Sequence, residues 1–307
     1  MITTLTINAA VDYTVKAKKL KPGQENEVEF SWKSAAGKGI NVAKDITKLG
    51  GKAKAIACLG GPSGQYIADA LEKKGIESDI SWIDNETRVN MKVIDKSGIE
   101  TKINQGGPII SSKTIEEVKD KTLQAASNSE IIILSGSLPS SVPQDIYQEL
   151  ITKLNNTKTK VFLDTSGEAL RLALQAKPTL IKPNIYELES VYGSNLSLDE
   201  VIKASKGLVK DGIEMVVVSM GARGALLVTD KKVIQAIPPK VKPVSTVGAG
   251  DSMVAAMALS YLSNKDIVES FRFTIAVSVA TILEVGTETP ILSKVGKWMD
   301  KVKIREL

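Results

Sequence analysis

The chain predicts a three-layer α/β/α fold, with a mostly parallel central sheet, helices on both of its faces and a small β-sheet lid. Three observations predict it. From about residue 36 onward, short apolar runs alternate with stretches of helical periodicity. Two segments, 13–33 and 88–104, break that rhythm with polar–apolar alternation. The 307 residues, 43% apolar and 24% charged, suffice for one large domain and a small appendage.

In chain order, residues 1–8 form a short strand-like run. Segment 26–32 alternates apolar and polar residues and reads as a strand with one wet face. Ile40, Ala43, Ile46 and Leu49 share a helical face closed by Gly50 and Gly51, and 53–59 follows as a strand. Segment 88–94 alternates again, so Arg88, Asn90 and Lys92 point the same way. Later strands are expected at 131–134, 161–163, 179–181 and 215–218, with helices at 144–154, 187–192 and 198–209. That spacing gives a parallel sheet covered on both faces, with ligands at the carboxyl ends of the strands. The expected division is a main domain of 1–12, 34–87 and 105–307, and a lid of antiparallel strands from 13–33 and 88–104. A lid that excludes water is useful when water competes for a transferred group.

Composition removes several kinds of chemistry. There is no histidine, so Ser-His-Asp and Cys-His catalysis and histidine–zinc sites are excluded. The one cysteine, Cys58, lies in an apolar strand and reads as core, and no disulfide within the chain can form. The net charge is +5, yet no basic block of five residues occurs and aromatics are only 4%, so no nucleic-acid partner is expected. The longest apolar stretch, 273–283, is too short to span a bilayer and contains Thr274 and Ser278. Without a visible secretory signal, a soluble cytoplasmic protein with no membrane partner is expected.

Two glycine motifs carry the candidate chemistry. In 245–252, Ser-Thr-Val-Gly-Ala-Gly-Asp-Ser, a glycine turn delivers Asp251 to the first turn of an apolar helix. The amides of Gly248, Ala249, Gly250 and Asp251 would concentrate positive potential for an anion, beside a carboxylate base. An amide cradle and a base are what phosphoryl transfer to an alcohol needs most. In 35–43, Ala-Ala-Gly-Lys-Gly-Ile-Asn-Val-Ala, Gly37 and Gly39 again open a helix. Lys38 there opposes the helix dipole, and such an inconsistency marks a position for function, with Asn41 beside it. Taken singly, each motif is also compatible with an ordinary helix start. A Walker A loop is excluded, because Lys38 precedes Gly39, Lys52 precedes Ala53 and Lys297 precedes Trp298. Val42 stands where a dinucleotide fingerprint needs its third glycine.

Other positions gain meaning in company. Arg88, Asn90 and Lys92 could line a solvated strand face or, with Lys38, surround a phosphate. Asn8 and Asp12 are turn formers that could also hold hydroxyls. Lys182-Pro183-Asn184 follows a strand and, with Glu187, reads either as a capping box or as part of a nucleotide site. Ser219, Gly221 and Gly224 form a turn after the next strand.

Together these residues resemble the ribokinase-like (PfkB-type) carbohydrate kinases over essentially the whole chain. Both family signatures are present, at 36–41 with Gly50 and Gly60 downstream and at 245–251. The 35–44 run, Arg88 to Lys92, Ser135-Gly136-Ser137-Leu138-Pro139 and Lys182-Pro183-Asn184 resemble the branch acting on sugar phosphates. The resemblance implies Asp251 as general base, with Gly248, Ala249 and Gly250 as anion hole. It implies Asp12, Gly37 and Asn41 on sugar hydroxyls, Lys38, Arg88 and Lys92 on the existing phosphate, and Asn90 and Ser137 also lining the sugar site. Asn184 and Glu187 would order Mg2+ through water. Lys182, Ser219, Gly221, Gly224, Gly248 and Gly250 would line the ATP site. Fructose 1-phosphate is the expected acceptor, and tagatose 6-phosphate or another 6-phosphate the alternative. A non-catalytic sugar-phosphate sensor is the alternative of another class, disfavoured by retention of Asp251. A homodimer through the lid is implied by analogy. The chain has Asn8-Ala9 where the family carries Asn-Pro, and Glu27 where kinases of 6-phosphates tend to carry a basic residue, which points toward a 1-phosphate.

Overall fold

The structure, a computed structural model, describes residues 1–284 and 291–307. The first strand, β1 (Ile2–Thr6), is fully buried inside the large sheet, third from one edge. β2 (Ala10–Ala17) and β3 (Val28–Ala36) form a hairpin that leaves this sheet and returns directly into α1 (Lys38–Lys48). β4 (Ala53–Leu59), α2 (Gly61–Lys73) and β5 (Glu77–Trp82) extend the large sheet to one edge. A second hairpin, β6 (Arg88–Asp95) and β7 (Glu100–Asn104), joins the first.

The chain then builds the other half. α3 (Ser112–Ala125), β8 (Ile131–Ser135), α4 (Ile146–Leu154), β9 (Lys160–Asp164), α5 (Gly167–Leu174) and β10 (Leu180–Ile181) come first. They are followed by α6 (Ile185–Tyr192), α7 (Leu198–Lys210), β11 (Met215–Ser219), β12 (Ala225–Val228) and β13 (Val233–Ile237). α8 (Ala249–Leu262), α9 (Ile267–Thr281), α10 (Leu292–Met299) and β14 (Lys303–Glu306) complete the chain.

Among the described residues the large sheet has the order β14-β13-β12-β11-β10-β9-β8-β1-β4-β5. Pairing is parallel from β11 through β5 and antiparallel from β11 to β14. Apolar residues alternate between its two cores. In β8, Ile131 and Ile133 join one cluster and Ile132 and Leu134 the other; in β11, Met215 and Val217 oppose Val216 and Val218. Strands such as β8 and β11 therefore bury both faces, which is why they read as unbroken apolar runs. The chain winds outward from β1 to one edge and from β8 to the other, so β1 and β8 flank the topological switch point where such sheets bind ligands.

The small sheet has the order β3-β2-β6-β7. Its strands reach further than segment 13–33, since β2 starts at Ala10 and β3 runs to Ala36. Its central pair, β2 and β6, is parallel, although each hairpin is antiparallel as expected. The polar–apolar pattern reports the faces of a strand and carries no information on which neighbour lies beside it.

Candidate active site

The site is assembled at the carboxyl edge of the large sheet. Gly248 caps α8 with φ 83°, a left-handed conformation that favours glycine. Ser252 N–H is the first in the helix to donate back, to the Gly248 carbonyl, so the amides of Ala249, Gly250 and Asp251 precede the intrahelical ladder. The Asp251 side chain is buried, and its Oδ2 accepts a 2.8 Å hydrogen bond from Asn41 Nδ2. Asn41 lies one turn into α1, and its Oδ1 is buried without a hydrogen-bond partner among the described residues. The two glycine motifs, far apart in sequence, thus meet through one side-chain pair.

Lys38 and Lys182 converge on a residue that sequence reasoning missed. Asp164, the last residue of β9, is wholly buried. Its Oδ1 accepts from Lys38 Nζ at 2.9 Å, and Lys182 Nζ lies 3.4 Å from Oδ2. Lys38 Nζ is also 3.8 Å from Glu187 Oε1. The available signal was an acid closing the apolar run 161–164 at the ligand-bearing edge of a parallel sheet.

Charge in this network is balanced by proximity. Burial pushes the Asp251 carboxyl above its ordinary range and the Asp164 charge adds to this, against the Lys38 charge, the Asn41 hydrogen bond and the Lys182 charge. For Asp164, burial acts upward too, but the Lys182 and Lys38 charges together outweigh it and hold the carboxyl below its usual range. Burial pulls the Lys38 ammonium down, yet Asp164, Glu187 and Asp251 together raise it. The two neighbouring carboxyls are thus shifted in opposite directions, Asp164 toward its ionised form and Asp251 toward a higher proton affinity.

The capping box at α6 is realised and leaves one oxygen spare. Glu187 N–H donates to Asn184 Oδ1 at 2.9 Å and Asn184 N–H to Glu187 Oε2 at 2.8 Å, while Glu187 Oε1 faces Lys38. Ser219, at the end of β11, bridges to Asn184 across the strand ends, its N–H bonding the Pro183 carbonyl. Gly221 and Gly224 bound the short turn into β12, where a Cβ on Gly224 would stand 2.9 Å from the Pro238 ring.

At the switch point, Asn8 Nδ2 donates to Ser137 Oγ at 3.2 Å, joining the end of β1 to the loop after β8. Gly37, between β3 and α1, has φ 125°, a backbone conformation that favours glycine. Asp12 pairs with Asn90 across β2 and β6, and Asn90 Nδ2 donates to Asp12 Oδ1 at 3.1 Å. Arg88 donates to the Asn8 and Gln105 carbonyls, each at 3.2 Å, and Lys92 pairs with Glu100 at 2.9 Å. Burial lowers the Arg88 guanidinium, opposed by the charge of Asp12. Arg88, Asn90 and Lys92 alternate along β6 and so share one face, and Lys38 Nζ bonds Asp164. Glu27 is exposed in the loop before β3. Cys58 is buried, and burial pushes its thiol up to about 12, which leaves it inert packing.

Comparison with known proteins follows the same geometry. The model of the pfkB family carbohydrate kinases matches residues 4–294. The chain is 39% identical over 289 residues to a 1-phosphofructokinase of Borreliella burgdorferi, covering 92% of each. It is 38% identical over 291 residues to a 1-phosphofructokinase of Bacillus subtilis, covering 94% of this chain and 95% of that one. Among solved structures, the phosphofructokinase-2 from Escherichia coli in complex with substrates and products superposes with a TM-score of 0.92 at 32% identity, over 97% of this chain and 98% of that one. The match is not confined to the glycine motifs but runs through the sheet that brings them together: the chain belongs to the pfkB family of carbohydrate kinases, phosphotransferases with a hydroxyl acceptor.

Proposed function

We propose that the chain transfers a phosphoryl group from ATP to fructose 1-phosphate, giving fructose 1,6-bisphosphate, with Asp251 as general base. The observation that carries this reading is the buried Asp251 carboxylate, aimed by Asn41 beside the first-turn amides of α8, which precede the intrahelical ladder. A base at that position removes the acceptor proton, while the amides and Lys182 receive charge developing on the transferred group. Lys182 Nζ stands 3.1 Å from where a Cβ on Gly250 would be, close to those amides. On the sugar side, Asp12, Asn41 and the Gly37 backbone offer partners for hydroxyls. Asn8, Asn90 and Ser137 lie beside them, and Arg88 and Lys92 offer charge for the existing phosphate. The buried unpartnered oxygens of Asn8, Asn41 and Asn90 suit a ligand rich in hydroxyls.

The nucleotide side is formed by Lys182, Ser219, Gly221, Gly224 and the α8 start. Glu187, whose Oε1 is free of the capping box, and Asn184 offer hard oxygen donors that fit Mg2+ held largely by water and phosphate. When bound with the nucleotide, the metal neutralises phosphate charge. Among the described residues no helix is long and apolar enough to cross a membrane. A cytoplasmic site of action, where ATP and sugar phosphates occur together, accords with this reading. The small sheet also leaves Phe30, 60% exposed, beside Trp32 on the face that carries Asp12, Asn90 and Lys92. A second copy packed there would cover these rings and close the site, so a homodimer through this sheet is part of the proposal.

A second reading has its own support. The phosphofructokinase-2 from Escherichia coli, in complex with fructose-6-phosphate, superposes with a TM-score of 0.90 at 31% identity. Coupled ADP release with magnesium-ATP against fructose 1-phosphate, fructose 6-phosphate, tagatose 6-phosphate and free fructose separates the two. A specificity constant highest for fructose 1-phosphate is expected; preference for a 6-phosphate transfers the assignment to the second reading.

A further inference from the structure

Two cations from separate motifs are held by one buried anion. Lys38 opens α1, where the helix dipole disfavours it, and Lys182 leads from β10 into α6. Neither motif supplies its own partner within hydrogen-bonding geometry. Asp164 pairs with both, Oδ1 hydrogen-bonding Lys38 at 2.9 Å and Oδ2 facing Lys182 at 3.4 Å, with no exposed side-chain surface. Oδ2 makes no hydrogen bond among the described residues, so the Lys182 contact is a pure ion pair. Lys182 Nζ in turn stands 3.1 Å from where a Cβ on Gly250 of the amide cradle would be, and Lys38 faces Glu187.

Resting on the kinase reading, we propose that Asp164 is a positioning residue: one rigid carboxylate that sets where Lys38 and Lys182 stand relative to the α8 amides and so aligns the charges that receive the transferred group. Being wholly buried at a strand end, it touches neither substrate from the solvent side. It acts through the lysines. Removing its charge frees two neighbouring ammonium groups to repel each other, and both then follow the bound phosphates instead of guiding them. Binding survives such a change better than turnover does, because flexible cations still attract a nucleotide.

The test compares wild type, Asp164→Asn, Lys182→Met and the double variant. It reads kcat and KM by ADP release with the best wild-type substrate, ATP affinity by calorimetry and the melting transition. Asp164→Asn is expected to lower kcat about a hundredfold while ATP affinity stays within about threefold. In the Lys182→Met background the same change is expected to cost less than about threefold, since the two act as one unit. A kcat near wild type, parallel losses of kcat and affinity, or losses that multiply in the double variant overturn the proposal. Should Asp164→Asn not fold, Asp164→Glu keeps the charge and displaces it by one methylene. Positioning then requires at least a tenfold loss of kcat with ATP affinity retained, and an unchanged kcat overturns it. A wild-type chain that releases no ADP with any sugar phosphate overturns the kinase reading and this inference with it; wild-type turnover with an unimpaired Asp164→Asn overturns the inference alone.

Discussion

Asp251 holds a negative charge where solvent cannot reach it, next to a second carboxylate. Burial and Asp164 raise its pKa above the ordinary aspartate range, so the proton-free form that the proposed base requires is lost at a higher pH than for an exposed aspartate. A profile of kcat/KM against pH is therefore expected to show an acid limb above the ordinary aspartate range; a limb at or below that range would contradict the electrostatics described. The same shift has a stability consequence. With the folded pKa above the unfolded one, the stabilisation from protonated Asp251 is present at low pH and disappears as pH rises through the folded pKa, so ionised Asp251 is a cost at neutrality. Most site residues were legible because glycine or proline marks their motifs: Lys38 and Asn41 follow Gly37, Lys182 precedes Pro183, and Asp251 follows Gly250. Asp164 had no such punctuation, and its hydrogen-bonded partner Lys38 lies 126 positions away.

At the scale of elements, α1 lies close enough to β1 that only glycine fits at one contact. A Cβ on Gly39 would stand 2.4 Å from Thr6 Oγ1 and 2.6 Å from the Leu5 carbonyl oxygen. On an exposed helix, glycine to alanine gains about 1 kcal/mol in propensity. At Gly39 the backbone clash should outweigh that gain, so Gly39→Ala is expected to destabilise by about 1–3 kcal/mol. Gly207, within α7 and with open space at its Cβ, should show the unopposed gain of about 1 kcal/mol. Urea midpoints for the two variants check this, and two shifts of the same sign would contradict it. The strand and helix pattern was legible because each buried strand is a short apolar run between glycine turns, as in 53–59, where β4 has the expected bounds. β10 begins one residue later than the 179–181 expected, at Leu180, and the Thr179 side chain takes the Val161 N–H instead. The parallel pairing of β2 with β6 joins segments distant in sequence, and their alternation could not disclose it.

For the whole molecule, the small sheet is proposed to set both closure and assembly. Phe30 and Trp32, with ring centroids 5.5 Å apart, cover one side of the polar face above the site. Sedimentation velocity is expected to show a dimer that Phe30→Glu converts to monomer; an unchanged species would place the interface elsewhere. In the proposed function, both sheets bring one carboxylate, a row of amides and two lysines to the hydroxyl that receives the phosphoryl group. The most direct test of that claim is Asp251→Asn, measured for turnover, sugar-phosphate affinity and melting temperature together. Turnover should fall at least about a hundredfold, with affinity within about threefold and melting no lower than wild type, because the substitution removes a buried charge and keeps an acceptor for Asn41. Turnover near the wild-type rate would show that proton removal by Asp251 is not how this chain works.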